Sequence, residues 1–197
     1  MKEHLSAARD ANGVYSAILP KPTYLEQLAL PSQTNIGIIG TSVYRKQIIS
    51  DIAEYFFPES FEPGLRLLVL HGMPGVGKTY IAMQYVRQHY DDYERVFLLN
   101  AGTEAEIQHS CYEFLKDLNP AYAKLDPDEH RRIFLNYFNH HGKWLLIFDG
   151  VDFLDLKSSG PDGTAMVDVF KSYLPTNSAS SGHILITSCC DVDYLGS

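Results

Sequence analysis

The sequence predicts an α/β fold in three layers, with helices on both faces of a mostly parallel sheet. Three observations predict it. Short apolar runs alternate with longer amphipathic segments along most of the chain, the pattern of successive β-α-β units. The run "RLLVLHG" at 66–72 is continuous and ends at glycine, as a parallel strand buried on both faces does. Directly behind it stands "GMPGVGKT" at 72–79, the G-x-x-x-x-G-K-[ST] spacing of a phosphate-cradling turn between a strand and a helix.

The elements follow in order. Residues 1–35 mix small residues with Pro20, Pro22 and Pro31 and read as a linker or leader. From Thr41 the pattern changes: Ile48, Ile49, Ile52, Tyr55 and Phe56 fall at helical spacing, and Pro58 closes the helix. The strand at 66–72 feeds the turn, and "KTYIAMQYVRQHY" after it is an amphipathic helix. A second strand is expected at 95–102. A helix follows at 103–118, opened by Thr103 with Glu106 three residues on, the reciprocal capping arrangement. Asp126 and Pro127 open another helix in cap and first-turn positions. Strands are expected at 143–152 and 182–190, separated by a Gly-, Ser- and Asp-rich loop at 157–163, a short helix at 164–173 and the loop "LPTNSASSG". No internal repeat is present.

Bulk properties narrow the function. A chain of 197 residues, 45% hydrophobic, suffices for one good core, so a single α/β domain with a leader is expected. The net charge of -8 argues against broad, sequence-independent binding to nucleic acid or to an anionic membrane. Cys111, Cys189 and Cys190 make neither a disulfide framework nor a zinc spacing, which points to a reducing compartment and a cytoplasmic location. The adjacent pair would form a strained bridge and reads as buried structural thiols. No run approaches the ~18 apolar residues of a membrane span.

The turn at 72–79 needs its layout for chemical reasons. Glycines let main-chain N–H groups converge on phosphate oxygens, the helix N-terminus adds partial positive charge, Lys78 reaches the outer phosphates and the Thr79 hydroxyl ligates Mg²⁺. Its four defining positions arise by chance in about one chain in a hundred of this size at ordinary residue usage, and strand-before, helix-after is the confirming context. The site is therefore expected to include Gly72, Met73, Pro74, Gly75, Val76, Gly77, Lys78, Thr79 and Tyr80. A metal carboxylate should stand at the end of a buried strand, and "LLIFD" supplies Asp149. Asp152 reads either as an acid that orients an attacking water or as a solvated turn carboxylate. No N-K-x-D segment follows the turn, so adenine is favoured over guanine. The strand between the two motifs points to the ASCE division of P-loop NTPases, strand order 5-1-4-3-2.

"HGMPGVGKTYIAMQYV", "WLLIFDGVD", "FKSYLP" and "GHILITSCCDVDYLGS" together resemble the NB-ARC nucleotide-binding domain of STAND P-loop NTPases. Plant disease-resistance proteins, the apoptotic protease-activating factor and above all fungal NOD-like receptors (NLR) carry that domain. The resemblance covers roughly residues 36–197. It implies ADP held in a resting state, exchange for ATP with Mg²⁺ linked to oligomerisation, and roles in innate immunity or programmed cell death. By its motifs Asp149 is the Mg²⁺ acid together with Thr79, and Thr187 and Ser188 lie on the sensor strand. Val43 and Arg45 fall where the family's V-G-R segment meets the adenine, although an ordinary helix start fits them equally.

Two departures bear on activity. The family's sensor strand ends in an arginine where this chain has Cys189, and no arginine follows Arg132. The family's second acid is replaced by Gly150. Charge on a transferring phosphoryl group is met by cations, and an arginine is worth ~10³ to 10⁵ in rate, so at most a slow ATPase is expected. Only "DVDYLGS" follows the last strand. A fifth strand and the ARC subdomains, partner domains of the family, are thus expected to lie outside this chain, leaving the first strand as a sheet edge. The primary expectation is an adenine-nucleotide switch that hydrolyses weakly or not at all. An active P-loop ATPase or nucleotide kinase, and an interaction module without nucleotide affinity, are the alternatives.

Overall fold

A computed structural model of the chain describes residues 8–9, 15–16, 41–59, 64–140, 142–152, 160–175 and 182–189; the side chains of 8–9, 15–16, 41–44 and 160–165 lie outside the description. Two units divide at Ile39 and Gly40. In the first, β1 (Ala8–Arg9) pairs antiparallel with β2 (Tyr15–Ser16). Asn12-Gly13, a dipeptide suited to tight hairpin turns, stands between them in sequence.

The second unit is built on four parallel strands: β3 (Arg66–His71), β4 (Arg95–Asn100), β5 (Trp144–Asp149) and β6 (His183–Ser188). Their spatial order is β3-β6-β5-β4, so the last strand in sequence slots beside the first. This is the 1-4-3-2 part of the expected order, and β3 is an edge of the described sheet. Among the described residues five helices accompany it: α1 (Thr41–Phe56), α2 (Lys78–His89), α3 (Glu104–Leu118), α4 (Pro127–His140) and α5 (Gly160–Lys171).

Strand alternation sorts the core into two layers. Leu146 and Phe148 of β5 and Ile184 and Ile186 of β6 join one apolar cluster with Ile107 and Cys111 of α3, Phe134 and Phe138 of α4 and Phe170 of α5. Leu145, Ile147 and Leu185, one residue out of phase, are buried on the other face, where α2 packs against β6 and α1 against α2. Helices on both faces and strands on both sides explain why β5 and β6 are almost wholly buried.

The caps form as their residues dictate. Thr103 Oγ1 accepts from the Glu106 N–H at 3.3 Å and donates to Glu106 Oε2 at 3.0 Å, and Asp126 Oδ1 accepts from the Glu129 N–H at 2.9 Å. Elsewhere the boundaries move. Helix α5 begins at Gly160, inside the segment expected to be loop, because Pro161 suits a first helical turn. Short 3-10 turns at Tyr90–Asp92 and Pro120–Lys124 were not foreseen.

At the N-terminal ends of the strands the packing is aromatic and tight. Trp144 is fully buried and its Nε1 donates to the Phe138 carbonyl at 3.0 Å. A β-carbon on Gly182 would lie 2.1 Å from the Trp144 ring. Gly182→Ala is therefore expected to lower stability by about 3 kcal/mol through overpacking, read as a fall in the urea midpoint at unchanged slope.

Beside it, His183 stacks on Phe56 at 4.5 Å between ring centres, and its Nδ1 lies 2.8 Å from the Tyr93 hydroxyl, itself 2.7 Å from that of Tyr85. With Nδ1 accepting, Tyr93 donates to His183 and takes a hydrogen bond from Tyr85. Burial, aided by the Arg66 charge, pulls the His183 pKa from 6.5 down to about 4. Burial likewise pushes the Tyr85 and Tyr93 hydroxyls well above the ordinary tyrosine range. Above the unfolded pKa both states hold neutral His183, so it contributes no pH dependence. As pH falls from 6.5 toward about 4 only the unfolded chain takes up the proton, and stability drops. The loss is bounded at about 3 kcal/mol, and acid titration of the denaturation midpoint should show it flattened in His183→Phe.

Candidate functional site

The C-terminal ends of β3, β5 and β6 meet at one corner, since parallel pairing in register sets His71 opposite Ser188 and Phe148 opposite Ile186. The Gly72 N–H donates to the Ser188 carbonyl at 3.2 Å, so the phosphate loop leaves β3 tied to the end of β6. Gly75 and Gly77 have φ of 77° and 93°. At Gly77 this left-handed backbone lets the chain turn into α2 with its first amides unpaired by side chains. Met73 is 75% exposed and Val76 45%, so the loop's binding chemistry belongs to its main chain.

Asp149, at the end of β5, is where the motifs converge. Its Oδ1 accepts from Thr79 Oγ1 at 2.7 Å and from Thr187 Oγ1 at 2.6 Å. Thr187 Oγ1 in turn accepts from the Gly150 N–H at 2.9 Å. A hydroxyl and a carboxylate set side by side are the hard oxygen donors that Mg²⁺ takes while keeping waters and substrate phosphate. Among the described residues no three His, Cys, Asp or Glu gather into a metal site. The donor set thus fits Mg²⁺ on Thr79 and Asp149.

Lys78 extends back along the loop. Its Nζ donates to the carbonyls of Gly72 at 2.8 Å and Met73 at 3.1 Å, and to Cys189 Sγ at 3.2 Å. Cys189 is half-buried, so it is not the inert core thiol expected from sequence; Cys190 lies outside the described residues. Cys111 is buried in the core, where burial raises its pKa well above the ordinary thiol range. Asp152 Oδ1 accepts from the Cys189 N–H at 2.7 Å, tying the turn after β5 to the end of β6.

Of the residues predicted for the base, Val43 lies on α1 with its side chain outside the described residues. Arg45 reaches the phosphate loop: its guanidinium is 5.1 Å from the centre of the Tyr80 ring and 3.5 Å from the point a β-carbon on Gly77 would occupy. Ser188 is fully buried and offers the loop its carbonyl. Sequence reasoning did not foresee the Lys78–Cys189 contact, although the expected strand order already set position 189 beside the loop.

The AAA domain family matches residues 64–185, more than half of the chain. The chain belongs to the AAA domain family. As an AAA domain it is a P-loop nucleotide-binding domain, with Mg²⁺ the usual companion. It is 26% identical over 176 residues to a "Nucleotide-binding leucine-rich repeat (NLR)-like protein" of Hyaloscypha variabilis, across 85% of this chain and 17% of that protein. The chain thus spans a small part of that relative. Among solved structures it is similar to the Drosophila ORC bound to DNA, with a TM-score of 0.50 and 14% identity over 96% of this chain and 48% of that one. Cdc6p from Pyrobaculum aerophilum gives a TM-score of 0.46 and 16% identity over 76% of this chain and 41% of that one. Identities this low speak of the fold alone.

These findings carry the sequence reading only in coarser form. The family shown is the AAA domain, coarser than NB-ARC. The exclusion of nucleic acid, drawn from net charge, finds no support in these comparisons. No helix among the described residues is long and apolar enough to cross a membrane.

Thr187 is 1% exposed and bridges Asp149 to the Gly150 N–H. Thr187→Val, by leaving that carboxylate and amide without the hydroxyl, is expected to cost about 1–3 kcal/mol in chemical denaturation. Thr187→Ser should retain most of it.

Proposed function

We propose that this AAA domain is the adenine-nucleotide switch of a longer NLR-like signalling protein. It holds ADP or ATP with Mg²⁺ and turns ATP over slowly or not at all. Lys78 and the amides of Gly75 to Thr79 grip the phosphates, Thr79 and Asp149 hold the cation, and Thr187 positions Asp149. In the whole protein, exchange of ADP for ATP would be linked to oligomerisation or to docking of partner domains, in innate-immunity or cell-death signalling in the cytoplasm.

The observation that carries the reading is the contact of Lys78 with the Cys189 thiol. At the end of β6 Thr187 and Ser188 are buried and Cys189 is half-buried, and the strand supplies no cation there to stabilise charge in transfer. Of the two roles open to Asp152, its hydrogen bond to the Cys189 amide favours the turn carboxylate over an acid that orients water. The NLR-like relative supports the signalling context.

A thermal-shift titration tests this. Ligand at a hundredfold excess over Kd adds about 2.7 kcal/mol, roughly 5–10 °C for a domain of this size. Mg-ADP should give that shift in the wild-type chain and none in Lys78→Ala. Phosphate release above a few turnovers per hour would mark a turnover enzyme instead. The absence of any shift at millimolar ADP or ATP would mark an interaction module.

A further inference from the structure

Helix α1 carries a charge on the face that packs. Its buried residues are Ile49, Ile52 and Phe56, and Arg45 stands four residues before Ile49, on the same stripe by helical spacing. Packing of that stripe aims Arg45 at the domain, where its guanidinium ends at the phosphate loop. Nη2 lies 3.5 Å from the point a β-carbon on Gly77 would occupy, and the guanidinium carbon is 5.1 Å from the centre of the Tyr80 ring. Among the described residues no carboxylate pairs with it.

The loop has use for this charge. A diphosphate seated on its amides brings more negative charge than Lys78 neutralises, and β6 ends without a cation. A guanidinium held over an aromatic ring by cation–π attraction still has N–H donors to offer, and such donors match phosphate oxygens two at a time.

We propose that Arg45 is a second cationic contact to the bound phosphate chain, supplied by helix α1 and held in place by Tyr80. The proposal rests on the nucleotide-binding reading above. It differs from the base contact implied by family resemblance, because the side chain reaches the turn into α2 where phosphate would sit. An occupied loop would then tie α1 to α2 across the nucleotide.

Calorimetry on the full chain with Mg-ADP and with Mg-pyrophosphate, which has no base, separates the possibilities. Arg45→Ala should weaken both by about ten- to a hundredfold, as loss of a charge-assisted hydrogen bond does. Arg45→Lys should recover part, and Tyr80→Ala should show a smaller loss shared by both ligands. The unliganded melting temperature of Arg45→Ala, matching wild type, confirms an intact fold; should it fall, Arg45→Lys carries the comparison. Unchanged affinities, or a loss for ADP with pyrophosphate unaffected, would overturn the proposal. If pyrophosphate binds wild type too weakly to measure, the ADP/GDP affinity ratio decides: preserved in Arg45→Ala if Arg45 holds phosphate, collapsed if it reads the base. Wild-type protein that binds no nucleotide would remove the underlying reading itself.

Discussion

One carboxylate oxygen organises the functional end of this domain. Asp149 Oδ1 accepts hydroxyl protons from Thr79 at 2.7 Å and Thr187 at 2.6 Å, groups from the start of α2 and the end of β6. A partly buried carboxylate is costly unless hydrogen-bonded, so the strands that carry these groups must end level with one another. Parallel register provides that. Asn100 lies opposite Asp149 on one side of β5, and His71 lies opposite Ser188 across the sheet. The glycine loop, Asp149 and the end of β6 consequently share one corner.

The two ends of the sheet differ in their physics. At the N-terminal ends, Trp144, Phe56, Tyr93 and His183 fill the space with rings, and His183 is kept neutral by burial. That end is a structural anchor: its polar atoms satisfy one another and none reaches the phosphate loop. At the C-terminal ends the backbone opens into left-handed glycines at 75, 77 and 150. A rigid base under a permissive rim is what a phosphate site needs, because the amides must be held before ligand arrives for their dipoles to act at full strength.

Much of the fold was legible because its signals are local. The glycine spacing at 72–79, the apolar run before Asp149 and the capping residues Thr103 and Asp126 each specify a conformation through neighbours in sequence. The strand order followed once the elements were placed. What escaped was either weakly patterned or dependent on context. Helix α5 begins within a Gly-, Ser- and Asp-rich stretch that local propensity assigns to loop. His183 had no signal at all: one histidine at the head of an apolar strand gives no warning that Phe56, Phe57 and Tyr93 will surround it.

By itself the sequence determined the class of fold, the phosphate loop and the acid at the end of β5. Those rest on backbone preferences and short-range periodicity, which every neighbouring residue reinforces. Only the tertiary structure decided that Cys189 touches Lys78, that Thr187 rather than Ser188 holds Asp149, and that Arg45 lies on the loop. Such contacts join residues up to 111 positions apart. Their geometry comes from how strands and helices pack, and no local preference encodes which side chain arrives at 3 Å.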